Sequence, residues 1–416
     1  MHLLFIHPNF PGQFRHLAAH LARDPRHSVV GLGEKRAVQR IAGAFPGLKT
    51  VGYELPRAVH ASTHPYLQGM EENVLRGQSV VRACLALKQQ GFNPALIIAH
   101  AGWGEALYLR DVFPQAKIVG YCEFFYHAEG ADVGFDPEFP VDFDRRFLLR
   151  TRNATQLVTW TGLDAGWSPT AWQKSLFPPE WQSRIAVIHE GVDTALVRPD
   201  PGACWTLPDG RVLTRDDEVL TLVNRSLEPY RGFHTFMRAL PAIQRARPQA
   251  HTLIIGSDDT GYGAPPINAK HWREAMLTEL EGRLDLGRIH FLGNLPYPDY
   301  LRVLQVSRAH AYLTYPFVLS WSMLEAMAAG CTLLASATAP VMEVVRDGEN
   351  GLLFDFFDHG RLAELASGVL AAPAAHARLG AAARQMILER YDLTKVTLPA
   401  QLAFAQRLLD PPRPGG

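Results

Sequence analysis

The sequence predicts an α/β protein built on two separate, largely parallel sheets. Three observations lead there. Short apolar runs alternate with helical patterns along almost the whole chain, which is how βα units read. A Pro-, Gly- and Asp-rich stretch over 191–217 interrupts that alternation once. And 416 residues, 47% of them hydrophobic, exceed what one ordinary core encloses.

In the first half the runs at 3–7, 28–32, 95–99, 117–121, 157–160 and 185–189 read as strands. Helices are expected over 14–23, 71–90 and 143–151, where apolar residues recur at three and four positions. A second series begins at 219–223 and continues through 253–255, 289–292, 309–314, 332–335 and 351–354. Helical patterns then fill 360–371, 374–390 and 393–409, and the Pro/Gly tail after 410 is expected to fray. The resulting division is 1–191, 192–392 and a C-terminal segment 393–416, with the hinge near Gly191.

Charge and cysteines remove several classes. Lys plus Arg number 41 and Asp plus Glu 41, so no global field favours a nucleic acid partner. The four cysteines form no C-x-x-C pair, which argues against a disulfide framework or a thiolate zinc site and fits a reducing cytoplasm. No apolar run is long enough to span a bilayer. The local excess of Lys and Arg over 1–60 reads first as a solvated face and leaves peripheral contact with the inner membrane surface open.

Three segments could carry chemistry. In YLTYPFVLSWSMLEAMAAG, from Tyr312 to Gly330, a strand feeds through a turn into a helix, and ligands of open α/β sheets sit outside such strand ends. The backbone N–H groups of Val318 and Leu319, with the first helical turn, can face a diphosphate. Glu325, three residues after Ser322, also fits an S-x-x-E capping box, and spacing alone prefers that reading. In VLTLVNRSLEPYRGFH, from Val219 to His234, a buried strand delivers Arg225 and then Arg231; two cations there can neutralise a diphosphate leaving group, whereas either alone reads as a solvated arginine. After the first strand, Gly12 in NFPGQFR allows close backbone approach to a ligand.

These residues resemble family 4 glycosyltransferases of the retaining, GT-B type. The resemblance rests on NFPGQF, HEGVD at 189–193, NRSLEPYRG, LEAMAAG and the later DGENGLLF, and it covers nearly the full length. It implies a GT-B fold of two Rossmann-like domains facing a cleft, an acceptor-side domain over 1–191 and a nucleotide-sugar-binding domain over 192–392, with the last helix packing back on the first domain. It also implies transfer of a sugar from a nucleotide diphosphate sugar, UDP- or GDP-linked, to a saccharide, lipid-linked or other hydroxyl acceptor, as in polysaccharide synthesis. No cofactor and no protein-held metal are implied.

Carried over by position, Arg225 and Arg231 would bind the diphosphate and Glu325 the ribose hydroxyls. Arg231 stands where the family has Lys, exchanging a point charge for a planar fork. The family's Glu, seven residues, Glu pattern places its first acid at Phe317, beside the donor sugar. That carboxylate is missing, so a GT-B protein that binds nucleotide sugar without transferring it remains the competing reading. His127, in YCEFFYHAEGAD, resembles the family's active-site histidine, although packing among aromatic neighbours explains it nearly as well. Glu123 and His100 are expected on the acceptor side. The D-x-D triplet at 142–144 is read as a helix opening rather than a metal site.

Overall fold

A computed structural model describes residues 1–410 and divides the chain into two units. One comprises Met1–Gly191 with the chain from Thr394 onward, the other Val192–Leu393. The tail expected to fray lies outside the described residues.

The first unit contains β1 (His2–Ile6), β2 (Ser28–Glu34), β3 (Leu48–Tyr53), β4 (Leu96–His100), β5 (Lys117–Tyr121), β6 (Ala165–Ser168) and β7 (Ile185–Val187). All pair in parallel, in the order β3-β2-β1-β4-β5-β6-β7. Strands buried on both faces read as continuous apolar runs, and β1 and β4 do so because helices cover each side. On one face, Leu3, Phe5, Phe14 and Trp167 pack with Phe404 and Ala405 of the C-terminal helix Leu398–Leu409. Gln401 Nε2 in that helix donates to His189 O at 3.0 Å.

Sequence and structure part company at 157–160. These residues are helical, in Ala154–Trp160, with Leu157 and Val158 each 46% exposed. The buried face is polar instead. Gln156 donates to Phe124 O at 2.9 Å, and Thr155 Oγ1 accepts from Asn73 Nδ2 at 2.8 Å. Hydrogen bonds there offset the burial of side chains that hydropathy would place outside.

In the second unit a short hairpin, β8 (Trp205–Thr206) with β9 (Val212–Leu213), lies within the stretch read as a linker. The sheet follows as β10 (Val219–Ser226), β11 (His251–Ser257), β12 (Ile289–Gly293), β13 (Ala309–Tyr312), β14 (Thr332–Ser336) and β15 (Leu352–Phe354). Its order is β12-β11-β10-β13-β14-β15, all parallel. Strand order therefore reverses beside β10 and β13, the switch point at which doubly wound sheets leave a crevice at their carboxyl ends. Arg225, Arg231 and the turn before helix Trp321–Ala328 all follow from these two strands.

Candidate functional site

In the second unit, Pro229–Arg231 forms one 3-10 turn, and Gly232 caps the next helix, Phe233–Ala246, at φ +64°. A side chain at 232 would meet Leu313 Cβ at 2.2 Å, so both the backbone conformation and the space require glycine. That turn buries Arg231, which is 5% exposed. Its Nη1 donates to Thr314 Oγ1 at 2.8 Å and Val318 O at 2.9 Å, with Tyr312 Oη at 3.4 Å. The guanidinium lies 5.5 Å from the Tyr262 ring centre and 5.6 Å from that of Phe317. A planar fork can hydrogen-bond along its edge while its faces meet rings, which an ammonium cannot. Nε and Nη2 remain uncommitted among the described residues.

Arg225, at the exposed end of β10, makes no hydrogen bond or ion pair among the described residues. Tyr312 Oη also accepts from Ser320 N at 2.9 Å, whereas the N–H groups of Val318 and Leu319 have no partner there. The turn thus presents two open donors beside a fixed cation, at the N-terminus of an eight-residue helix.

The capping box expected between Ser322 and Glu325 does not form. Ser320 occupies the cap position, and the Glu325 oxygens accept from Tyr297 and Tyr300, each at 2.6 Å. Burial pushes the Glu325 carboxyl up, and the two phenols oppose that shift. Lone pairs beyond those two bonds are left for further donors. Tyr297 and Tyr300 precede Glu325 by more than twenty residues, so local spacing could not reveal them.

Phe317 joins an aromatic cluster, with ring centres 4.8 Å from Tyr262 and 5.6 Å from Tyr230. Glu228 holds the loop that carries Tyr262. Its carboxylate accepts from the N–H groups of Gly261, Tyr262 and Gly263 at 2.9 to 3.2 Å. The sequence reading passed over Glu228, since its partners lie more than thirty residues away.

In the first unit, the carboxyl ends of three neighbouring strands converge. His100 closes β4, and Glu123 follows β5 by two residues. Gln13, from the loop after β1, donates to Glu123 Oε1 at 2.8 Å, and His100 Nε2 lies 3.4 Å from Glu123 Oε2. Burial raises the Glu123 carboxyl, but the hydrogen bond from His100, the His100 and His7 imidazoles and Gln13 together hold it below the usual range. His7 packs edge-on against His100, ring centres 5.6 Å apart, and burial with repulsion from His100 lowers it to about 3. Glu123 and His100, both singled out from sequence, are therefore brought together; His7, Gln13 and Trp103, whose Nε1 lies 2.9 Å from His100 Nε2, were missed. The repeated polar residues of HPNFPGQF were the available signal.

Gly12 makes room for the His7 ring of this cluster, at φ +47°. A Cβ there would meet the His7 ring at 2.8 Å. His127 stands apart: its Nε2 donates to Leu176 O at 2.6 Å, and it lines a separate groove of about 500 Å³ with Phe143, Phe147 and Arg150. Glu129 pairs with Arg146 at 2.6 Å. The 142–144 triplet opens a helix, Asp142 Oδ1 accepting from Arg145 N at 2.9 Å.

Comparison with known proteins agrees with this architecture. Residues 25–197 match the Glycosyl transferase family 4 group, and 209–386 match Glycosyl transferases group 1. Glycogen synthase of Mycobacterium tuberculosis is 29% identical over 226 residues, 54% of this chain and 49% of that protein. The chain thus spans about half the length of that relative. A GDP-mannose-dependent alpha-(1-6)-phosphatidylinositol monomannoside mannosyltransferase from the same species is 25% identical, covering 72% of this chain and 74% of the relative. Among solved structures, sucrose-phosphate synthase of Thermosynechococcus elongatus has a TM-score of 0.71 at 17% identity, covering 98% of this chain and 99% of that one. Anabaena HepE in complex with UDP-glucose has a TM-score of 0.64 at 17% identity, with the same coverages. Two parallel α/β units of this topology, matched in succession by these two family descriptions, place the chain in the group 1, family 4 glycosyltransferases of GT-B fold.

Proposed function

We propose that this chain moves a sugar from a nucleotide diphosphate sugar to an acceptor hydroxyl, with retention at the anomeric carbon. The observation that carries the reading is the turn after β13, where the open N–H groups of Val318 and Leu319 adjoin the anchored Arg231 guanidinium. Such a site suits the charge that develops on a departing diphosphate. Arg225 would add a second, mobile cation, and Glu325 would accept from the ribose hydroxyls. The bond from the anomeric carbon to the diphosphate oxygen breaks as the acceptor oxygen bonds to that carbon. The acceptor proton passes to the leaving phosphate on the same face, so no carboxylate is required at Phe317.

The donor is UDP- or GDP-linked, in keeping with HepE bound to UDP-glucose and the GDP-mannose-dependent relative. The acceptor is a saccharide or lipid-linked hydroxyl on the first unit, near Glu123, His100 and the groove at His127. The scheme calls on no protein-held metal and fits a cytoplasmic protein with peripheral membrane contact. No helix among the described residues is long and apolar enough to cross a membrane.

A thermal-shift screen against UDP, GDP and ADP sugars tests the reading, because a ligand that prefers the folded state raises its stability. Transfer that persists in excess chelator and yields a product of unchanged anomeric configuration is expected. Arg225→Ala should weaken UDP or GDP binding about tenfold, or about 1.4 kcal/mol. Inversion, or binding by none of the nucleotides, would refute the proposal. The aromatic cluster at Phe317 favours one second reading, a binding protein without transferase activity. Nucleotide-sugar binding with neither hydrolysis nor transfer would support it.

A further inference from the structure

We propose that Trp103 and Glu123, joined through His100, form the platform on which the first unit holds a neutral pyranoside acceptor. This deepens the transferase reading and rests on it.

Trp103 is 39% exposed, and the Glu123 side chain is one-quarter exposed, whereas the His100 ring between them is 5% exposed. An indole open to solvent beside a carboxylate matches the two faces of a pyranose. The sugar's C–H face covers the ring, and adjacent hydroxyls donate to the carboxylate.

The polar inventory points to the same ligand. His100 Nδ1 accepts from Gly102 N at 3.1 Å, which puts the single proton of a neutral ring on Nε2. Yet Nε2 lies 2.9 Å from Trp103 Nε1, itself an N–H donor, and 3.4 Å from Glu123 Oε2. Two N–H groups then face each other. In the other tautomer the conflict moves to Gly102. No neutral tautomer serves all three partners. A ligand hydroxyl that accepts from the indole and donates to Glu123 Oε2 satisfies both groups, while His100 keeps Gly102 N on Nδ1 and gives its Nε2 proton to Glu123. Gln13 already fixes Oε1, so Oε2 is the atom that receives the sugar. An anionic ligand is disfavoured, because the Gln13 and His100 hydrogen bonds keep Glu123 charged. His100 is a positioning residue in this arrangement, as is His7, whose neutral ring packs against it.

The indole N–H resonance of Trp103, assigned by its loss in Trp103→Phe, reports on the platform in the full chain. Titration with methyl α-glucopyranoside and methyl α-mannopyranoside should shift that resonance saturably, with millimolar affinity for at least one. Glu123→Gln should weaken the binding about tenfold. Trp103→Leu, a change at an exposed side chain, should abolish glycoside binding followed by calorimetry. Absence of any shift with either glycoside, or equal affinity in Glu123→Gln with an unchanged melting temperature, overturns the proposal. A separate UDP titration of the same protein distinguishes the two levels. UDP binding without a glycoside response sinks this inference alone, whereas absence of nucleotide binding sinks the transferase reading beneath it.

Discussion

Replacing Arg231 by Lys keeps the charge and removes the fork, so it measures what planarity contributes at the diphosphate turn. The guanidinium holds two short hydrogen bonds, to Thr314 Oγ1 at 2.8 Å and Val318 O at 2.9 Å, and meets two rings at 5.5 and 5.6 Å. A lysine ammonium can retain one of those bonds but cannot also present a flat face to Tyr262 and Phe317. The lost charged hydrogen bond is worth about 1.5 kcal/mol and the ring contacts about 0.5 to 1 kcal/mol together. The expected destabilisation is therefore about 2 kcal/mol, a fall of roughly 4 to 8 °C in melting temperature for a unit of this size. Calorimetry measures it directly. Combination with Phe317→Ala, which removes one ring, should show coupling of about 0.5 kcal/mol. UDP affinity should drop several-fold, since the turn bearing Val318 N and Leu319 N loses the planar fork that braces it. A Lys variant that melts within about 1 °C of the parent and binds UDP equally well would show that the fork is incidental.

Acid should destabilise both units through buried histidines. His7 and His310 are each lowered by burial from 6.5 to about 3. Below about pH 6.5 the unfolded chain takes up protons that the folded chain refuses, so stability falls until about pH 3, at up to about 1.4 kcal/mol per pH unit for each histidine. Urea midpoints at about pH 7 and about pH 5 should diverge less in His310→Asn than in the parent; equal divergence would discount that site. Glu228→Gln removes the charge that accepts three successive N–H groups, and hydrogen exchange at Gly261 to Gly263 should accelerate by about ten- to a hundredfold. Unaltered exchange would mean that the loop is held by other contacts. Tyr300→Phe withdraws one of the two phenols opposing the burial of Glu325, so the carboxyl should titrate still higher. A carboxyl carbon signal with an unmoved midpoint would contradict that balance.

Local composition is enough to specify the two-sheet α/β architecture, because strands covered on both faces must be continuous apolar runs and cannot hide their composition. It located Arg225, Arg231, Val318 and Leu319 at strand ends for the same reason: a turn after a buried strand is legible locally. It missed β3, whose edge position leaves Lys49 and Thr50 exposed, and β6, a four-residue strand with Gly166 and Ser168. Its reading of 157–160 as a strand failed because hydropathy counts residues without their partners, and here Gln156 and Thr155 satisfy their hydrogen bonds inside while Leu157 and Val158 lie outside. Folding of distant helices against each other sets Glu325 on Tyr297 and Tyr300 rather than on Ser322. The fold likewise puts Glu123 with Gln13, 110 residues away, while His127 donates to Leu176 O. Short-range spacing records the period of an element; which side chains share an acceptor depends on strand order, and β1, β4 and β5 are neighbours only in the folded sheet.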